Sequence, residues 1–235
     1  MNASKWRLGL VIVLVILIGT LFAQWADPSM LENHPLANLI RPDYCPSDSV
    51  AAYFPTWSGT TYEFAGEGLE FARFTRRITY ATSELIQVED LSGTNQVKIM
   101  EVTPQELRIV WTAEEFYEDR NLLEPWVKGE RSTLPGREEV LVPLKAPLQE
   151  GESWSDGRFK REIYQVNSVV TVPLGTFHDV IVVKSKALDA DDGVQYDYYA
   201  KNLGLIKRES RYESFTVTST LEGLEVVNTH VYRRN

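Results

Sequence analysis

From Tyr53 onward, short β-branched and aromatic runs alternate with turn residues, and this pattern constrains the fold more than any other feature. Ile78/Tyr80, Val97/Ile99, Phe177 to Val183, Tyr196/Tyr198, Phe215 to Thr218 and Leu224 to Val227 are such runs. Ser92-Gly93-Thr94-Asn95, Leu174-Gly175-Thr176, Asp192-Gly193 and Asn202-Leu203-Gly204 divide them. Strands of this length separated by so few residues read as antiparallel hairpins. A parallel sheet would need helical crossovers, which the pattern lacks.

The same region carries an internal similarity. Pro55-x-x-x-Gly59-x-x-Tyr62 matches Pro147-x-x-x-Gly151-x-x-Trp154, and Arg73-Phe74-Thr75-Arg76-Arg77-Ile78 matches Arg158-Phe159-Lys160-Arg161-Glu162-Ile163. The order is preserved, so two related halves are expected, about 53–123 and 145–232. In each, Pro sets the approach to a strand, Gly turns the chain and the aromatic covers the core. The following strand is expected to turn apolar residues inward and basic residues outward. Between the halves, 124–137 (EPWVKGERSTLPGR) reads as a long loop. Thr103-Pro104-Gln105-Glu106 has the form of a helix capping box. A strand that alternates Leu107, Ile109 and Trp111 against Arg108, Val110 and Thr112 fits the β-like flanks better.

The N-terminus is different. Leu8 to Ala26 is 19 uncharged residues, mostly apolar. As a helix it spans roughly 28 Å, close to the ~30 Å hydrocarbon core of a bilayer. Leu21 or Gln24 would occupy the −3 position for cleavage after Ala23 or Ala26, where a small residue is wanted. The segment is therefore read as an uncleaved transmembrane anchor, residues 1–26, with secretion after cleavage as the alternative. Lys5 and Arg7 before it, and Asp27 and Glu32 after it, put the N-terminus inside and the bulk of the chain outside. Residues 27–52 contain four prolines and no sustained period, and read as an extracytoplasmic spacer before a β-rich domain at 53–235.

Charge and residue content narrow the function. The chain has 24 Lys and Arg against 33 Asp and Glu, a formal charge of −9. Without Lys5 and Arg7 the remainder has 22 against 33, or −11. Such a chain is a poor partner for phosphate backbones, and no nucleic acid is expected. The single cysteine, Cys45, lies in the spacer and cannot form an internal disulfide. His34, His178 and His230 have no metal-ligand spacing, so no metal is expected. There is no nucleophile elbow, phosphate-binding loop or dinucleotide fingerprint, and no cofactor or catalytic residue is assigned. Asp189 to Gly193 departs from a calcium loop in its Gly position and reads as a hairpin tip. Glu114, Glu115, Glu118 and Asp119 read as a solvated acidic edge. The candidate ligand or interaction face is basic: Arg73, Arg76, Arg77, Lys160, Arg161, Lys207 and Arg208, which would form one positive surface if their strands adjoin.

Tyr53-Phe54-Pro55…Gly59…Tyr62, Pro147 to Trp154 (PLQEGESW), Thr171 to Val183 (TVPLGTFHDVIVV) and Tyr198 to Glu209 (YYAKNLGLIKRE) together resemble a group of uncharacterised extracytoplasmic β-rich proteins of Gram-positive, clostridia-like bacteria. Their pattern is YFPLxxGxxW, PLGTF and YYAKGVGLVK. Thr56 and Tyr62 depart from it. The resemblance implies a secreted or membrane-held β domain and brings no activity or site with it.

The expectation is a mainly β protein with an N-terminal transmembrane helix. Its antiparallel curved sheet, or partly open barrel, would be built from two related halves. Three functions follow in order. The first is a non-catalytic binding module facing a cell-surface protein. The second is a carrier or sensor of a lipid or other apolar ligand in a half-barrel cavity. The third is a carboxylate-dependent hydrolase. A cavity of several hundred Å³ would favour the second. Two facing carboxylates, one with a raised pKa, would favour the third.

Overall fold

The computed structural model describes residues 49–189 and 193–227. The anchor segment, most of the spacer, Cys45, His34, His230 and residues 190–192 of the proposed hairpin tip lie outside these. Twelve strands account for most of the described chain: β1 (Thr60–Glu67), β2 (Phe74–Ala81), β3 (Leu85–Leu91), β4 (Gln96–Val102), β5 (Glu106–Glu114), β6 (Arg137–Lys145), β7 (Ser153–Ser155), β8 (Phe159–Val172), β9 (Gly175–Ala187), β10 (Val194–Ala200), β11 (Gly204–Arg211) and β12 (Thr216–Val226). They form one sheet in the order β6-β5-β4-β3-β2-β1-β12-β11-β10-β9-β8-β7. All pairings are antiparallel, as short connections require. Each strand pairs with its neighbour in sequence except at β6–β7, and β1 also pairs with β12. The result is a nearly closed, barrel-like sheet.

The free edges of β6 and β7 meet through side chains. The Trp154 indole donates to the Val142 carbonyl at 2.8 Å, and the Val142 N–H donates to Asp156 at 3.0 Å. The same Asp156 pairs with Arg161 at 2.8 Å and accepts the Phe159 N–H at 2.9 Å. One carboxylate thus satisfies the backbone of one edge and a cation from the other.

The interior follows the pleat. On β1, Thr60, Tyr62 and Phe64 point inward and are buried, while Glu63 is exposed. Phe64 stacks on Phe74 of β2 at 4.4 Å between ring centres. Tyr62, Ile78, Val88, Ile163, Val183, Tyr199, Ile206 and Leu221 belong to one continuous core. One end of the barrel is plugged by a 3₁₀ turn, Val50–Tyr53, begun by the Ser49 hydroxyl, which accepts the Ala51 N–H at 3.2 Å. Val50 N donates to Pro104 O at 2.9 Å, and Asn202 N donates to Ala52 O at 2.6 Å. Val50, Ala52, Tyr53 and Phe54 are buried. Val50 and Ala52, expected in the spacer, are therefore part of the core.

A second cluster lies outside the sheet. The segment 115–136 crosses the outer face of β3 to β5, with a short helix α1 (Leu123–Val127) and a 3₁₀ turn (Arg131–Thr133). It covers Val97, Ile99, Trp111 and Ala113 with Phe116, Leu122, Leu123 and Leu134. The buried Gln87 amide fastens it, donating to Arg120 O at 3.0 Å and accepting the Leu122 N–H at 2.8 Å. The expected loop at 124–137 is thus part of a packed cover.

β5 is the strand expected there, with one correction. Register shifts on either side of Ile109 put Trp111 in the outer cluster, while Leu107 stays in the interior. The Thr103 hydroxyl accepts the N–H of Glu106 at 3.0 Å, as in a capping box, but the turn it closes joins two strands.

The paired motifs share two local features. Gly59 and Gly151 both hold positive φ, 81° and 87°. Their N–H groups donate to Ile78 O at 2.8 Å and to Ile163 O at 2.9 Å. Arg76 lies over Phe74, and Arg161 lies over Phe159.

Candidate binding site at the charged end of the barrel

The strand period decides where the seven basic candidates go, and it divides them. Ile78 is inward, so Arg76 two residues earlier is inward too. The same spacing puts Arg161 inside with Ile163, and Arg208 inside with Ile206. Arg76 and Arg161 are buried, contrary to the expectation that basic residues of these strands face outward. Arg73, Arg77, Lys160 and Lys207 are outside. Arg73 pairs with Glu222, Lys207 pairs with Glu209 at 2.8 Å, and Arg77 and Lys160 are exposed. Nor do the strands adjoin. β2 and β11 are separated by β1 and β12, and β11 and β8 by β9 and β10. A single positive outer face does not form.

What forms instead is a charged belt inside one end of the barrel. Arg76 grips Asp90, its cross-strand partner, with two hydrogen bonds of 2.7 and 2.9 Å. Lys98 of β4 reaches the same carboxylate at 2.6 Å. Arg208 donates to its own cross-strand partner, Asp197, at 2.7 Å. Arg161 donates to Asp156 and to Ser185, which stands opposite it on β9. The Arg76 and Arg208 guanidinium groups are near enough to repel each other, and Arg208 also feels Asp90.

Four cations therefore face three carboxylates. Burial pushes the Asp90 carboxyl up, but the charges of Arg76 and Lys98 outweigh it and hold the group well below the usual carboxylate range. Asp156 is likewise lowered. Its burial is outweighed by hydrogen bonds from Arg161 and from the Val142 and Phe159 N–H groups. The Tyr62 and Tyr199 phenols beside the belt are pushed up by burial and stay neutral.

The connection between β1 and β2 folds over this end as a flap. It contains a 3₁₀ turn, Glu70–Ala72, and the Ser219 hydroxyl holds it by donating to Ala72 O at 2.6 Å. Gly66 makes the close approach possible: a Cβ there would lie 2.1 Å from Arg73 N and 2.3 Å from Ala72 C. Gly66→Ala is expected to displace the flap and cost on the order of 1–3 kcal/mol, read by urea denaturation. A loss within 0.5 kcal/mol would show that the flap does not rest on the strand (about the scatter of ordinary surface substitutions).

Beneath the flap is a hollow of about 180 Å³, lined by Leu69, Phe71, Ala72, Phe74, Arg208, Ser210, Val217 and Ser219. Exposed apolar side chains stand on loops at this end: Leu69, Phe71, Leu188 and the stacked pair Tyr212 and Phe215. A larger hollow of about 340 Å³ on the neighbouring flank is open and is edged by Glu63, Arg73 and Glu222.

The sequence reading missed Asp90, Lys98, Asp156 and Asp197. The pattern Ile86-x-Val88-x-Asp90 carries the signal, a charge in the apolar phase of a strand. In β10 the expected apolar pair Tyr196/Tyr198 lies outside, and Asp197 between them lies in. Outside, Lys184, Lys207 and Arg211 cover the Tyr164, Tyr198 and Tyr196 rings. His178 is exposed on β9. Glu114, Glu115, Glu118 and Asp119 are exposed; Glu118 pairs with Arg120. No group of three or more His, Cys, Asp or Glu could hold a metal ion among the described residues.

A scan against protein-family models and a search of curated proteins find no match. Two solved structures are similar in chain path. One, from Bacteroides fragilis, is provisionally described as an exported protein with a YmcC-like fold; its TM-score is 0.41 at 12% identity, covering 74% of this chain and 98% of that one. The other, from Parabacteroides distasonis, is provisionally described as a lipoprotein; its TM-score is 0.36 at 14% identity, covering 77% and 100%.

Proposed function

We propose that the chain is a membrane-anchored, extracytoplasmic β domain that works as a non-catalytic binding module. The observation that carries this reading is an interior filled by its own side chains, with an apolar rim on loops at one end. A filled barrel leaves its surface for recognition, and Leu69, Phe71, Leu188, Tyr212 and Phe215, exposed on loops of one end, offer apolar area for contact there. The hollows of about 340 and 180 Å³ at the charged end both open to the surface, unlike the enclosed cavity expected of a carrier. The buried carboxylates with shifted pKa values are lowered, which is opposite to what a general acid requires. Both facts favour the binding module over the carrier and the hydrolase. The compartment rests on the uncharged run 8–26 with Lys5 and Arg7 before it.

Protease shaving of intact cells that express the full chain with a C-terminal tag tests the topology. Loss of the tag from intact cells, with the chain in the membrane fraction, is the expected result. A tag protected until lysis overturns it. Intact mass of the product adds the fate of the segment, since a mature form starting near Gln24 or Asp27 would replace the anchor by secretion.

A further inference from the structure

The belt holds one more positive charge than negative, and its three arginines are not used alike. Arg76 keeps 10% of its side-chain surface and spends two nitrogens on Asp90. Arg161 keeps 5% and spends two on Asp156 and Ser185. Arg208 keeps 35% and spends only Nε, on Asp197. Its two terminal amino groups have no hydrogen-bond partner among the described residues, and the residue lines the hollow under the flap. Ser210 and Ser219 add hydroxyls to the same wall, while Leu69, Phe71 and Phe74 make the other wall apolar.

We propose that this hollow is a binding site for an anion bearing an apolar chain, with its carboxylate or phosphate head on the free edge of Arg208 and its chain against Leu69, Phe71 and Phe74. The planar pair of terminal N–H groups matches two oxygens of such a head. An anion there offsets the unmatched positive charge of the belt. About 180 Å³ holds the head and the start of the chain. The remainder lies across the rim, where Leu69 is 54% and Phe71 is 63% exposed without a ligand. The inference deepens the proposed binding function by naming the ligand chemistry, and it rests on that reading.

The test uses the full chain in phosphatidylcholine nanodiscs, with empty discs as reference. Isothermal titration with sodium hexanoate, hexyl phosphate and hexanol reads binding. Saturable binding of one or both anions, with hexanol at least about tenfold weaker, is expected, because a charge-assisted pair of hydrogen bonds is worth that ratio or more. Leu69→Glu, at an exposed position that tolerates charge, is expected to weaken hexanoate at least about tenfold. So is the double variant Asp197→Asn/Arg208→Gln, which removes both charges of the ion pair together.

Replacing phosphatidylcholine by phosphatidylglycerol distinguishes two sources of the same chemistry. Weakened hexanoate binding means that a lipid held in the membrane reaches the site. Unchanged binding means that the ligand is a free amphiphile. Equal binding of hexanol and hexanoate, unchanged affinity in both variants, or no saturable heat overturns the site. Those failures leave the topology untouched, because protease shaving decides it separately.

Discussion

Asp90→Ala is expected to destabilise the domain by about 3–5 kcal/mol, measured by urea denaturation at neutral pH. The alanine leaves Arg76 and Lys98 buried with no counter-charge, since both now rest on that one carboxylate. Asp90 is mostly buried, so the pair is little screened by water. The loss comes chiefly from stranding two cations rather than from the gross strength of the ion pairs. Replacing all three groups by apolar residues of similar size, Arg76→Met, Asp90→Leu and Lys98→Met together, should therefore recover most of it.

The pH dependence has a definite sign. Asp90 has a lowered pKa in the folded state, so its contribution is fully present above the ordinary carboxylate value of about 4 and is lost as pH falls below it. Wild type should lose stability steeply below about pH 4, and the alanine variant less steeply. A cost under about 1 kcal/mol, or an unchanged acid limb, would mean that water or another group already balances the two cations.

Asp156→Ala should cost a similar amount, about 3–5 kcal/mol, and its effect should be localised. The side chain is fully buried, pairs with Arg161, and accepts N–H groups from both sides of the β6–β7 junction. Removing it strands a buried guanidinium and unfastens one sheet edge from the other. Hydrogen exchange is the discriminating readout. The Val142 amide loses its acceptor and should exchange far faster, while amides between β9 and β10 should follow only the global loss. Trp154→Phe removes the companion bond to Val142 O and should cost about 0.5–1.5 kcal/mol. Unchanged protection at Val142 would mean that the edges are held by other contacts.

The strand pattern was legible because antiparallel hairpins are local. Turn residues and a period of two are written within a few positions of each other: the runs at Val97/Ile99 and Phe177 to Val183 lie in strands, and the run from Leu224 is in a strand up to Val226. The Pro-x-x-x-Gly and Arg-Phe motifs were legible for the same reason. Each is a turn and the strand it leads into, and Gly59 and Gly151 hold their chains alike.

The belt was not legible as a site. Its partners come from β2 to β4 and from β7 to β11, and local spacing does not report which strands face each other across a lumen. Position in the period was available, and it contradicted the habit of placing arginine outside: Arg76 cannot leave the face of Ile78 without a bulge. Bulges defeated the reading of Trp111, because one extra residue near Ile109 reverses the faces and leaves only a weak mark in the sequence. The cover at 115–136 looked like a loop, since its apolar residues are too few and too scattered to show a helical period.

The pairing of β1 with β12 bears on how the domain assembles. Every other ladder joins strands that follow one another in the chain and can form early from nearby segments. Thr60 and Val226, by contrast, are partners across 166 residues. Joining them from an open chain would cost about 4–5 kcal/mol in loop-closure entropy. Once β2 to β6 and β7 to β11 have each formed a meander, most of that freedom is already gone. The last strand then docks on the first against two prepared surfaces, so the step that completes the ring is a late one, and weakening β1–β12 contacts should speed unfolding more than it slows folding.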